Sequence, residues 1–106
     1  MNMDKGKKYE IHTAHKMRWH GFIFVKVVGQ SSDYGADVIA RDFLLRKVIV
    51  QCKNYSKPVG LKAVQEAFTA KKFYHARRCI VATNTTFTRN AKKLASECGV
   101  ELWEGY

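Results

Sequence analysis

A chain of 106 residues with 46% apolar side chains has the size of one domain and can build one hydrophobic core without disulfide support. Nineteen Lys and Arg against nine Asp and Glu give a formal charge of +10, an excess that works against compactness unless a polyanion is the partner, so nucleic acid is the first candidate. No stretch approaches the roughly 18 apolar residues of a membrane span, Met1 to Gly6 lead into a charged segment rather than a secretion signal, and Cys52, Cys79 and Cys98 lack the pairing of a zinc site or disulfide framework.

These features predict a cytoplasmic protein that is not membrane-bound, with its cysteines as buried thiols. Residues 7–20 lack Gly and Pro and place Tyr9, Thr13 and Met17 at helical spacing, so a helix is expected there, ended by Gly21. Phe22 to Val28, rich in β-branched and aromatic residues, reads as a strand, and the cluster from Gly29 to Gly35 as a turn. Two further strands, Ala36 to Arg41 and Lys47 to Lys53, are joined by a short connection and complete an antiparallel meander.

After Pro58 the period changes, and Leu61, Val64, Ala67 and Phe68 mark one side of a helix reaching about Tyr74. Cys79 to Thr83 is a short apolar strand, and the intervening helix makes it a parallel neighbour of the Lys47 to Lys53 strand. Thr88 is placed to cap a last helix bearing Ala91, Leu94, Ala95 and Cys98, which stops at Gly99 before an edge strand from Val100 to Trp103. The order αβββαβαβ predicts a single α/β domain over residues 1–106, a mixed sheet flanked by helices, with no repeat or linker to suggest a second unit.

Polar residues where packing prefers apolar ones carry the functional signal. In Lys47 to Lys53, alternation puts Val48, Val50 and Cys52 on one face and Ile49, Gln51 and Lys53 on the other, so Gln51 and Lys53 point the same way at the end of a central strand. An antiparallel partner beginning at Asp37 brings a carboxylate to the same end. One carboxylate and one amide oxygen form a minimal site for Mg²⁺, which takes oxygen ligands and keeps several waters; Mn²⁺ is the alternative ion. The lysine there can orient or help deprotonate the attacking water and offset charge on a phosphate. Glu10, beside the Tyr9, Thr13, Met17 stripe, is placed to reach the metal as a second carboxylate. Taken singly, each residue has an ordinary structural explanation as a cap, core amide, snorkelling cation or ion pair.

Together, Tyr9-Glu10, Gly21-Phe22, Asp33 to Ala40 and Val50 to Tyr55 closely resemble the Mrr-like restriction endonuclease family of the PD-(D/E)xK, restriction-endonuclease-like superfamily, related to archaeal Holliday-junction resolvases. The likeness continues through Val59 to Ala70, Ile80 to Asn84, Phe87-Thr88 and Gly99 to Leu102, nearly the whole chain. The resemblance implies a catalytic set of Glu10, Asp37, Gln51 and Lys53, with Asp37, Gln51 and Glu10 holding the divalent metal. It also implies hydrolysis of a DNA strand to leave a 5′-phosphate. Many nucleases of this fold carry Glu where this chain has Gln51, a variant accepted in Mrr-like proteins that lowers the negative charge of the site. Asp33 and Gln65 match family positions as candidate pocket-lining residues.

Basic residues are spread along the chain, and Lys57, Lys62 and Arg89, with Tyr55 in a loop beside the catalytic end, are the expected DNA contacts. Tyr34 and Phe87 lie in loops where stacking on a base or ordinary packing would each fit. His12, His15, His20 and His75 show no triad or metal spacing. Three functions stay open: a metal-dependent DNA endonuclease on duplex or modified DNA, a structure-selective junction nuclease, and a non-catalytic DNA-binding module with a decayed site. A general RNA-binding role would explain the charge but not the Asp37, Gln51, Lys53 pattern. A two-strand cut needs two sites or two visits, so a homodimer is expected, although no strip of exposed apolar residues marks its interface.

Overall fold

The structure, a computed structural model, describes residues 5–28 and 35–106. Its elements are α1 (Lys5–Trp19), β1 (Ile23–Val27), β2 (Val38–Arg41), β3 (Lys47–Lys53), α2 (Leu61–Phe73), β4 (Arg78–Thr83), α3 (Arg89–Cys98) and β5 (Glu101–Trp103). They form one five-stranded sheet in the order β1-β2-β3-β4-β5. The first three strands are antiparallel, and the β3–β4 and β4–β5 pairs are parallel. This is the predicted mixed sheet.

The strand alternation sorts the core into two layers. Val48 and Val50 of β3 join Val38, Ala40, Ile80 and Ala82 against Ala14 and Met17 of α1. Ile49 faces the other way and packs with Val81 against Val64 and Ala67 of α2 and Ala91 and Ala95 of α3. One helix therefore covers one face and two cover the other. Tyr9, Thr13 and Met17 form the buried stripe of α1, as their spacing requires.

Local chemistry ends the elements where expected. The Thr88 side chain accepts from the Ala91 N–H at 3.1 Å, capping α3, and Gly99 closes that helix in the left-handed region at φ 71°. Gly35 also has positive φ, 85°, and a Cβ there would lie 3.2 Å from the Glu66 carbonyl oxygen, so only glycine lets the segment before β2 lie this close to α2.

The end of the sheet where β3 and β4 finish is strapped together. Thr83 Oγ1 donates to the Lys53 carbonyl at 2.7 Å, and Tyr55 and Asn84 exchange two hydrogen bonds, backbone to side-chain amide, at 2.8 and 2.9 Å. Val59 donates to the Thr86 carbonyl and accepts from Thr88 N–H. The segment after Lys53 is thus fixed against the loop leading to α3.

Two readings change with the tertiary structure. Phe87 is buried and cannot stack on a base. The expectation that exposed apolar residues mark no surface also fails: Trp19, Phe24, Phe43, Leu44 and Leu45 are all exposed, at the end of the sheet opposite the Lys53 strap. All three cysteines are free; Cys79 is buried, and Cys52 and Cys98 are partly so. No described helix is long and apolar enough to cross a membrane.

Candidate active site

Register brings the central residues together. Val38 pairs with Val50, and Asp37 N–H donates to the Val50 carbonyl at 2.8 Å, so Asp37 extends the antiparallel ladder beside Gln51. Its Oδ2 accepts from Cys52 N–H at 2.7 Å, which fixes the carboxylate against the end of β3. Burial pushes the Asp37 carboxyl above its usual range, against the opposing pull of the Cys52 N–H and the Lys53 charge. Glu10 of α1 lies within hydrogen-bonding reach of the same carboxyl. Two carboxyl groups so close favour a shared proton or a cation between them.

Gln51 is only 5% exposed. Its amide nitrogen faces Glu66 Oε1 at 3.4 Å, and its buried Oε1 has no hydrogen-bond partner. A buried acceptor without a donor costs free energy unless something else occupies it. Lys53, two residues on and on the same face, sets its ammonium 3.4 Å from the same Glu66 oxygen and 5.7 Å from the centre of the Tyr55 ring. Burial works to lower the Lys53 pKa, but Glu66 and Tyr55 outweigh it and the net shift is upward. Lys53 is therefore held as a cation, suited to phosphate charge and to orienting water rather than to taking a proton.

Glu66 is the residue the sequence did not single out. The buried residues Ala63, Val64, Ala67 and Ala70 set the phase of α2; Gln65 then falls on the exposed side, where its backbone carbonyl accepts from Thr69 Oγ1. The neighbouring Glu66, one step of about 100° further round the helix, meets Gln51 and Lys53 instead. Gln65 thus does not line the pocket seen here. The signal that could have found Glu66 was Gly35, whose close approach selects the helix phase. Asp33 and Tyr34 lie outside the described residues.

A cavity of about 220 Å³ adjoins this cluster, with Lys53, Tyr55, Lys62 and Glu66 in its wall. Tyr55 and Lys62 are both exposed there, while Lys57 and Arg89 are exposed on the strap beyond it. The four histidines are exposed, and none lines this cavity.

Among the described residues no three His, Cys, Asp or Glu side chains form a metal-holding group; the donor set is two carboxyls and an amide oxygen. All are hard oxygen donors; Gln51 Oε1 has no hydrogen-bond partner, and the β2–β3 register sets residue 51 opposite the desolvated Asp37. That set fits a hydrated divalent cation such as Mg²⁺ or Mn²⁺ and does not fit a soft metal.

No curated protein matches the sequence. Among solved structures the chain is similar to a repair endonuclease from Pyrococcus abyssi, at 19% identity and TM-score 0.69 over 98% of this chain and 48% of that one. It is similar to the EndoMS–dsDNA2 complex, at 19% identity and TM-score 0.68 over 98% of this chain and 46% of that one. It is also similar to the DNA modification-dependent restriction endonuclease AspBHI, at 17% identity and TM-score 0.72 over 92% of this chain and 27% of that one. The chain spans half or less of each, and at these identities the likeness is one of fold. Residues 2–106 match the restriction endonuclease family Mrr_cat. With its sheet, its flanking helices and all but one residue of its sequence accounted for by that match, the chain belongs to the Mrr_cat restriction endonuclease family.

Proposed function

We propose that this chain is a divalent-metal-dependent DNA endonuclease, hydrolysing a phosphodiester bond to leave a 5′-phosphate and a 3′-hydroxyl. The observation that carries the proposal is the convergence of the Asp37 carboxylate, the unpartnered Gln51 Oε1 and the Lys53 ammonium at one end of the sheet, in a chain of charge +10.

Asp37, Gln51 and Glu10 are the residues to hold Mg²⁺ or Mn²⁺. When bound, the cation supplies Lewis acidity toward the phosphate and lowers the pKa of water. The attacking water oxygen gives up a proton to solvent and bonds to phosphorus, the bond from phosphorus to the 3′ oxygen breaks, and that oxygen takes a proton from solvent and leaves as the hydroxyl. Lys53, kept cationic by Glu66 and Tyr55, orients the water and offsets charge gathering on the phosphate. Glu66 acts as a positioning residue through its contacts with the Gln51 amide and the Lys53 ammonium. Tyr55, Lys57, Lys62 and Arg89 hold the flanking strand, supplying affinity without sequence information.

Duplex DNA is the proposed substrate class, consistent with what the EndoMS complex contains and with the endonucleases of similar fold. The junction-nuclease reading shares the same site chemistry and makes four-way DNA the better substrate. The test is cleavage of supercoiled plasmid and of a synthetic four-way junction with Mg²⁺, Mn²⁺ or EDTA, comparing wild type with Asp37→Ala and Lys53→Ala. Metal-dependent nicking that disappears in both variants is expected. Absence of cleavage together with intact, salt-sensitive DNA binding would replace the nuclease by a DNA-binding module.

A further inference from the structure

After Lys53 the chain enters no further named strand or helix until α2 begins at Leu61. The main-chain polar groups of such a segment must find partners elsewhere. Consecutive residues at and after the end of β4 supply them. Thr83 Oγ1 donates to the Lys53 carbonyl at 2.7 Å. Asn84 Oδ1 accepts from Tyr55 N–H at 2.8 Å, and Asn84 Nδ2 donates to the Tyr55 carbonyl at 2.9 Å. Thr85 Oγ1 donates to the Lys57 carbonyl at 3.1 Å, and Val59 N–H donates to the Thr86 carbonyl at 2.8 Å. Every second residue from Lys53 to Val59 is therefore tied down.

This mount holds an aromatic ring that the core does not use. Tyr55 is 47% exposed, and both bonds to Asn84 go to its main chain, so its side chain takes no part in the strap. The ring centre stands 5.7 Å from the Lys53 ammonium. Its backbone is ordered in advance, so a ligand that meets the ring does not have to order the segment as it binds.

Beside the ring lies the cavity of about 220 Å³, walled on the other side by Val59, Gly60, Lys62 and Ala63 at the approach to α2 and its first turn. A cavity of about 150 Å³ accommodates a benzene ring, so this slot has room for one nucleobase. Val59 and Ala63 give it an apolar side. The carboxylate in its wall, Glu66, already faces the Lys53 ammonium at 3.4 Å, and the first turn of α2 holds no acidic residue. Lys53 and Lys62 thus set a positive sign at the mouth. A fixed aromatic face, an apolar side and two ammonium groups match the base and the phosphates of a nucleotide.

A paired base cannot enter such a slot. In a duplex its faces are covered by its neighbours and its edge by its partner, and it must be extruded first, a step that costs least where the base is unpaired.

We propose that the slot between Tyr55 and the start of α2 takes one unstacked nucleobase beside the bond to be cut, with Tyr55 as its stacking surface. The substrate is then duplex DNA carrying an unpaired nucleotide. This deepens the nuclease reading and rests on it for the role of the adjoining Lys53 site. Because every base has a π face, stacking on Tyr55 selects by structure, unpaired over paired, and not by sequence.

Binding measured by fluorescence anisotropy in EDTA, where no strand is cut, tests the proposal. The probes are three short labelled duplexes that differ at the centre: fully paired, with a single bulged dT, or with a bulged abasic residue. Wild type is expected to bind the bulged dT duplex about tenfold more tightly than either of the others. Tyr55→Phe keeps the ring and is expected to keep that preference. Tyr55→Ala leaves the main-chain bonds to Asn84 in place and is expected to bind the bulged dT duplex no better than the abasic one. Wild type that does not prefer the bulged dT duplex overturns the proposal. So does a Tyr55→Ala variant that weakens all three duplexes equally, which would make Tyr55 a backbone contact. The preference can fail while metal-dependent cleavage of plasmid persists, and it can hold where cleavage is absent, so the two readings fail separately.

Discussion

Gln51→Glu tests whether Glu66 supplies the negative charge that position 51 lacks. The substitution places a carboxylate where the amide nitrogen now faces Glu66 Oε1 at 3.4 Å. Two unit charges at that separation repel by about 5 kcal/mol at an effective dielectric constant near 20. The Glu66 side chain is 41% exposed and also faces the Lys53 ammonium at 3.4 Å. Screening and that cation reduce the expected net cost to about 1–3 kcal/mol without metal. The new carboxyl has its pKa raised in the folded state, so its favourable contribution is complete below about pH 4 and is lost as pH rises. Urea unfolding in EDTA between pH 4 and 8, for Gln51→Glu, Glu66→Gln and the double variant, measures the coupling. We expect about 1–2 kcal/mol at pH 8, shrinking at pH 4, with Mg²⁺ restoring much of the loss. If Gln51→Glu matches wild type at pH 8, or the two single effects simply add, the close approach of Glu66 to residue 51 has no energetic meaning.

Three other outcomes follow from the same geometry. Asp37 has a raised folded pKa, so its charged form weakens the fold above that value; Asp37→Asn should raise the thermal midpoint in EDTA at pH 8 and remove the stabilisation by Mg²⁺ or Mn²⁺, and a lower midpoint would contradict the desolvation argument. Lys62→Ala should weaken binding to every duplex sequence similarly and reduce the slope of log affinity against log salt by about 1, whereas an unchanged slope in a titration from 50 to 200 mM salt would remove Lys62 from the DNA path. Thr88→Ala deletes the hydrogen bond from Ala91 N–H and should cost about 1 kcal/mol in denaturant unfolding, with cleavage unaffected; no loss would show that α3 does not need its cap.

The elements were legible in the sequence because their signals are local. The change of period after Pro58, the Thr88 cap and the Gly99 stop depend on residues within a few positions of one another. Gln51 and Lys53 were assigned to one face by strand alternation, and Asp37 was brought beside them by the short β2–β3 connection, which leaves little freedom of register. Three-dimensional packing decided the rest. Gln65 and Glu66 are adjacent polar residues on the same helix, and only the seating of α2 over Gly35 turns Glu66 toward the site. Trp19, Phe24 and the Phe43-Leu44-Leu45 turn look in sequence like ordinary core material; exposure belongs to the assembled surface, and the bulge in β1 and the end of α1 leave them uncovered. Pattern along the chain thus determined the layers and brought three residues of the candidate site to one end of the sheet, while helix phase and the uncovered end arose only when distant segments packed together.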